Sequence, residues 1–193
     1  MTTYDLDGLT LEKCGLAASD ENRGKLSAFF LQAYNEAYAD LLLSRIKPSR
    51  WEQAYAMSHS LDTTLLQRTC VCVLEVKDDE PSLPTAASLP FLDEGGGRCT
   101  LPTCKSAIVW VRYRYLPVPL ANARPTIPVG NDSAPELPAH AQGALSDYAA
   151  AVYWNREGKR DRAEAAMARY WQVRESIPAA RTDAESRITG KWR

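Results

Sequence analysis

Five cysteines (Cys14, Cys70, Cys72, Cys99 and Cys104), two histidines, a glycine triplet and a basic, aromatic C-terminal quarter are the residues of this 193-residue chain whose types could do chemistry. Cys70 and Cys72 stand two apart in a run read as a strand, so both thiols are expected on the same side of it. Cys99 and Cys104 flank a turn. Four thiolates could hold zinc tetrahedrally, but neither pair has the spacing of a C-x2-C knuckle. Buried, reduced thiols acting as small hydrophobes are the expectation, and no metal ligand is assigned. His59 and His140 could each pair with a cysteine nucleophile, yet no orienting carboxylate can be named, so surface or capping roles are expected. Gly95-Gly96-Gly97-Arg98 lacks the G-x-x-x-x-G-K-[ST] order of a phosphate loop. Asp78-Asp79-Glu80 lacks the alternating ligands of a calcium loop and reads as a solvated turn. Neither a catalytic residue nor a cofactor is assigned, and the chain is not expected to be an enzyme.

The last quarter is different. Arg156, Lys159, Arg160, Arg162, Arg169 and Arg174 fall in a helical region interleaved with Glu157, Asp161, Glu164 and Glu175, which reads as an exposed face laced by i,i+4 pairs. Arg181, Arg187, Lys191, Trp192 and Arg193 fall beyond it, in a stretch without periodicity. A terminal segment of this kind has no core to serve and orders on binding, with arginines around an aromatic anchor.

These residues must be positioned by the elements around them. Residues 1–18 read as an N-terminal arm with Gly8 and Gly15 as breakers. Ser19-Asp20-Glu21-Asn22 offers an N-cap, and Phe29, Phe30, Ala33, Tyr34, Ala37, Tyr38, Leu41 and Leu42 form the stripe of a helix over 20–46, ended by Lys47-Pro48. Thr69–Val76 and Ala107–Tyr115 are β-branched and aromatic strands. In the second of these, Val109, Val111, Tyr113 and Tyr115 share one face, and Trp110, Arg112 and Arg114 the other. A small antiparallel sheet with a mobile, proline- and glycine-rich connection is expected over about 50–120. A proline-rich crossover (Pro117 to Pro138) leads to a helical hairpin over about 143–177, broken at Gly158. The fold class is α+β. A helical core, made of the long N-terminal helix and the C-terminal hairpin, carries an antiparallel β insertion and an extended C-terminal arm. The expected division is an arm over 1–18, one domain over 19–178 and an arm over 179–193.

Apolar residues at 45% and charged residues at 24% are ordinary globular usage. Near the N-terminus the longest apolar stretch, Ala28-Phe29-Phe30-Leu31, is far too short for a bilayer span, and no signal-peptide pattern opens the chain. A reducing cytoplasm and no membrane partner are therefore expected. The net charge of −1 hides a polarity: residues 1–100 hold 9 Lys/Arg against 15 Asp/Glu, and residues 101–193 hold 14 against 9. An acidic end and a basic end favour contact with other charged surfaces.

Tyr113-Arg114-Tyr115-Leu116-Pro117, the crossover, and then Leu137-Pro138-Ala139-His140-Ala141-Gln142-Gly143-Ala144-Leu145-Ser146-Asp147-Tyr148-Ala149 resemble the head-to-tail adaptor (connector) proteins of tailed bacteriophages. In that group a strand ending in Y-x-P precedes a P-x-x-H-x-x-A-L-x-D-Y-A helix start and a helical hairpin, the hairpin matched here by Trp154 to Trp171; His140 stands one residue earlier than the pattern places its histidine. Tyr34-Asn35-Glu36-Ala37 resembles the adaptors' early helix. The resemblance implies a virion protein of the neck, made in the host cytoplasm and forming a homo-oligomeric ring, usually of twelve copies, beneath the portal protein ring. Such a ring extends the DNA channel, through which packaged DNA passes without sequence-specific binding, and gives a downstream tail or stopper protein its attachment surface. By analogy Arg181, Arg187, Lys191, Trp192 and Arg193 belong to the portal-binding arm. Two other functions fit less of the pattern: a stopper or tail-completion protein, or a cytoplasmic DNA-binding protein using the basic C-terminal half.

Overall fold

The computed structural model describes residues 1–104, 106–121 and 135–179. The protein is α+β, and it divides into two compact units: a helical unit of Met1–Ile46 with Pro117–Ala179, and a β unit containing Lys47–Leu116. The β insertion expected over about 50–120 forms the second of these units. The β insertion has a core of its own, built from strand residues that pack on one another.

The expected N-terminal arm is largely a helix, α1 (Thr3–Lys13). Thr2 and Asp5 form a capping box, with Asp5 Oδ2 accepting from the Thr2 N–H at 2.8 Å and Thr2 Oγ1 accepting from the Asp5 N–H at 3.3 Å. Leu6, Thr10 and Leu11 bury one face. Gly8 is no breaker but sits inside the helix, where an added Cβ would come 3.0 Å from Arg23 Nη2. Gly15 does end it. At φ 69° it lets its own N–H reach Glu12 O at 2.9 Å and the Leu16 N–H reach Leu11 O at 2.8 Å, the paired bonds of a Schellman cap.

In α2 (Asp20–Leu41), Ser19 is the N-cap, Asp20 and Glu21 lie at the positive end of the dipole, and Phe30, Ala33, Tyr34, Ala37, Tyr38 and Leu41 are buried. The helical path continues to Ile46 as expected, but Leu42–Ile46 widen into a π turn. The crossover's described ends, 117–121 and 135–138, lead into α3 (Ala139–Arg156). After a second Schellman cap at Gly158 (φ 70°) comes α4 (Arg160–Ser176). The pair begins four residues earlier than expected, so His140 lies in the first turn of α3. α3 buries Ala141, Ala144, Leu145, Ala149, Ala150 and Ala151, and the small alanines let α1, α2 and α4 all approach it.

The β unit is a six-stranded antiparallel sheet in the order β3-β6-β1-β2-β5-β4. Its strands are β1 (Ser49–Met57), β2 (Ser60–Asp62), β3 (Cys70–Lys77), β4 (Leu92–Gly95), β5 (Arg98–Thr100) and β6 (Ser106–Tyr115). The long ladder pairs β1 with β6 from Ser49 opposite Arg114 to Met57 opposite Ser106. The sheet curls until its edges β3 and β4 meet, the Val73 N–H donating to Asp93 Oδ2 at 2.8 Å, which makes it nearly a barrel. Inside lie Val73, Val76, Cys99, Leu101, Val109, Val111 and Tyr113.

The connection from Lys77 to Ser106, expected to be mobile, is built. Asp78 Oδ1 accepts from the Ala87 N–H at 2.7 Å, the Leu89 N–H reaches Val76 O at 2.8 Å, and Gly95-Gly96-Gly97 form the turn between β4 and β5.

Candidate functional site: the helical pair and the outward sheet face

Two carboxylates fix the α3–α4 pair. Asp147, in the third turn of α3, has Lys13 Nζ of α1 and Arg169 Nε of α4 each 2.9 Å from its Oδ1. Lys13 also donates to Ser146 Oγ at 2.7 Å. Asp40, near the end of α2, takes Arg174 Nε at 2.7 Å and the Tyr170 hydroxyl at 2.6 Å on Oδ2. Burial pushes the Asp40 carboxyl up, but the hydrogen bonds from Arg174 and Tyr170 outweigh it and hold the group below its ordinary range. The same contact raises Arg174 further, so it stays charged. Tyr170 is pushed well above the usual phenol range by burial and by Asp40 beside it.

The hairpin cations are therefore not simply a solvated face laced by i,i+4 pairs. Arg169 and Arg174 reach carboxylates on other helices. Arg162 lies over Trp154 with 4.6 Å to the ring centroid, Arg174 over Trp171 at 4.8 Å and Arg156 over Phe29 at 5.3 Å. These stacks keep the aromatics at the surface without leaving them bare. The outer row of α4 presents Asp161, Glu164, Ala165, Ala168, Trp171 and Gln172. Trp171 of this row, with Arg174 over its ring, can meet another protein, tryptophan and arginine being the side chains that anchor interfaces. Arg181, Arg187, Lys191, Trp192 and Arg193, the expected portal arm, lie outside the described residues.

The cysteine expectation changes. A bulge between Cys70 and Cys72 shifts the register, so Cys70 is opposite Tyr115 and Cys72 opposite Arg114. Directly paired residues share a face, so the two thiols point to opposite sides of the sheet, not to the same side. Cys70 packs against the interior. Burial first, and Asp93 second, push its thiol up to about 11 and that of Cys99 up to about 12. Burial alone takes Cys14 to about 12. Among the described residues no group of three His, Cys, Asp or Glu side chains could hold a metal ion. His59 sits in the tight β1–β2 turn with Nδ1 3.3 Å from Leu101 O, and His140 is exposed on α3.

The outward face of the β unit was not singled out from sequence as a surface. Tyr55, Met57 and Ile108 stand exposed on β1 and β6, beside Trp51, Trp110, Arg112 and Lys77. Its signal was present in Trp110, Arg112 and Arg114, which alternate with the buried Val109, Val111 and Tyr113.

No protein-family model matches the chain, and no curated protein matches it significantly.

Proposed function

We propose that this protein is a structural, non-enzymatic subunit of the head-to-tail connector of a tailed bacteriophage. In this reading copies form a ring beneath the portal, extend the DNA channel and offer a surface to the tail or stopper protein. The observation that carries it is the fate of the Leu137–Ala149 segment, whose pattern bears the resemblance. It opens α3, with Ala144, Leu145 and Ala149 buried and Asp147 tying α1 and α4 to the helix. The A-L-x-D-Y-A residues of the pattern, Ala144 to Ala149, are thus packing residues, as suits a scaffold helix, while His140 is exposed. The long α2 and the α3–α4 pair form the helical core around which subunits pack, and residues 181–193 are the segment that reaches the portal.

Two measurements test the reading. The protein should be found by mass spectrometry in purified virions, and full-length protein should assemble on isolated portal rings. Removal of residues 181–193 should abolish assembly while the helical and β signals in circular dichroism persist. Absence from mature particles would overturn the connector role. Assembly that survives the deletion would remove the arm from it.

A further inference from the structure

The register of β1, β6 and β3 lays the outward side chains in rows. Trp51 is opposite Arg112, which is opposite Glu75; Trp110 has Gln53 on one side and Lys77 on the other; Tyr55 is opposite Ile108. Strand alternation turns Ala54, Val109 and Val111 inward, so this set faces away from the β core. Tyr55 is 61% exposed and Ile108 56%. Lys77 Nζ lies 5.6 Å from the Trp51 ring centroid, so cation and ring are presented together. These rows carry three cations, Lys77, Arg112 and Arg114, and one acid, Glu75, which is opposite Arg112 and has its Oε1 4.0 Å from Lys77 Nζ.

Along the strand direction Trp51, Trp110 and Tyr55 follow one another at two-residue steps, about 6.8 Å each at 3.4 Å per residue. That is about twice the 3.4 Å separation of stacked bases along one nucleic-acid strand. Rings at this spacing suit bases that have been drawn apart, each offering its π face to an aromatic side chain. A duplex keeps its bases stacked and paired, so it could meet the cations but not the rings. An acidic peptide would likewise engage the cations and leave the aromatic spacing without a use.

We propose that this face binds single-stranded nucleic acid without sequence preference, bases resting on Trp51, Trp110 and Tyr55 and phosphates held by Lys77, Arg112 and Arg114. The contact goes beyond the connector reading, in which DNA only passes through, and it uses none of the residues assigned to the portal arm.

The test is fluorescence anisotropy of a labelled thirty-nucleotide oligo-dT with the full-length protein at low salt. Saturable binding is expected, and three phosphate contacts give a slope of about −2 in log affinity against log salt, at about −0.7 per contact. Tyr55→Ala, at an exposed position, should weaken binding about tenfold, the loss of one stacked base. Lys77→Gln should reduce the salt slope by about 0.7. The Tyr55→Ala and Lys77→Gln double variant serves where Arg112→Ala or Trp110→Ala fails to fold, as judged by its thermal midpoint. Protein lacking residues 181–193 should bind as the full chain does. The proposal is overturned by absence of binding at low salt, by undiminished binding of the double variant, or by loss of binding on removing the tail. Equal affinity for a duplex of the same length, or displacement by polyglutamate as readily as by unlabelled oligo-dT, would reduce the face to a charged patch and overturn it too. Failure of any of these leaves the virion and portal measurements untouched, so the two readings fall separately.

Discussion

Arg174 donates to both oxygens of Asp40, Nε lying 2.7 Å from Oδ2 and Nη2 3.2 Å from Oδ1. The fork also reaches Ser44 Oγ at 3.2 Å, so one guanidinium fastens the last turn of α4 to the place where α2 widens into its π turn. Ser44 in turn donates to Asp40 O at 2.6 Å, and the hydroxyl satisfies a carbonyl at that irregular turn. The helix therefore leaves its regular path where the interhelical clamp is made.

Asp40→Asn keeps the shape of this clamp and removes its charge. Asp40 is partly solvated, so the expected loss is about 1–2 kcal/mol, read as a lower urea midpoint at neutral pH. The folded carboxyl titrates below its unfolded value. Its stabilisation is therefore present above the unfolded pKa of about 3.9 and is lost as pH falls through the folded pKa. Wild-type protein should lose stability in this acid range more steeply than the variant. Parallel profiles for the two would show that the carboxylate contributes nothing.

Asp147 is held differently. Its side chain is 10% accessible, that of Lys13 22% and that of Arg169 53%, and both cations share one oxygen. Asp147→Ala strands the half-buried Lys13 and should cost about 3 kcal/mol. Arg169→Ala, at an exposed position, should cost no more than about 1 kcal/mol. Lys13→Ala should fall between them, since Ser146 Oγ loses its donor and Asp147 Oδ1 keeps only Arg169. Chemical denaturation of the three variants gives the order directly, and a larger loss for Arg169→Ala than for Asp147→Ala would contradict it.

Gly96 and Gly97 separate two costs of a side chain in the β4–β5 turn. Both have positive φ, 61° and 91°, but a Cβ on Gly96 meets nothing within 4 Å, whereas one on Gly97 would lie 2.5 Å from Thr64 Cγ2. Gly96→Ala should cost about 1 kcal/mol for its left-handed backbone. Gly97→Ala should cost more than Gly96→Ala. Thr64→Ser in the Gly97→Ala background removes the clashing methyl and should recover part of the loss, a coupling that a double-mutant cycle measures. Additive effects would show that the methyl and the new Cβ do not meet.

The α+β class, the α2 stripe, the paired C-terminal helices and the inward face of β6 were legible because each is a local pattern. Phe30, Ala33, Tyr34, Ala37, Tyr38 and Leu41 declare a helix face by spacing alone, and Val109, Val111 and Tyr113 a strand face. α1 was missed although Thr2 and Asp5 have capping spacing, because Gly8 looked like a break and its packing against Arg23 is a tertiary fact. The near-barrel was missed for a similar reason. β2, β4 and β5 are three or four residues long, and partners distant in sequence decide their pairing. The clamps were equally hidden. Asp40 and Arg174 are 134 residues apart, and no sequence spacing selects one for the other.

The bulge in β3 makes a last prediction that distinguishes the folded chain from the simple strand pattern. On a regular strand Cys70 and Cys72 would face the same side and meet an alkylating reagent alike. The shifted register instead sets Cys70 with the interior and Cys72 on the side of Arg114. The thiolate is the reacting species, and burial holds Cys70 near 11 and Cys99 near 12. With iodoacetamide under native conditions, Cys72 should be modified first and Cys70 more slowly. Cys14 and Cys99 should react only as fast as their surroundings open, a rate that rises with urea. Peptide mapping by mass spectrometry at timed intervals reads all four positions. Equal rates at Cys70 and Cys72 would remove the bulge from the account, and prompt modification of Cys99 would mean that the sheet does not close over its interior.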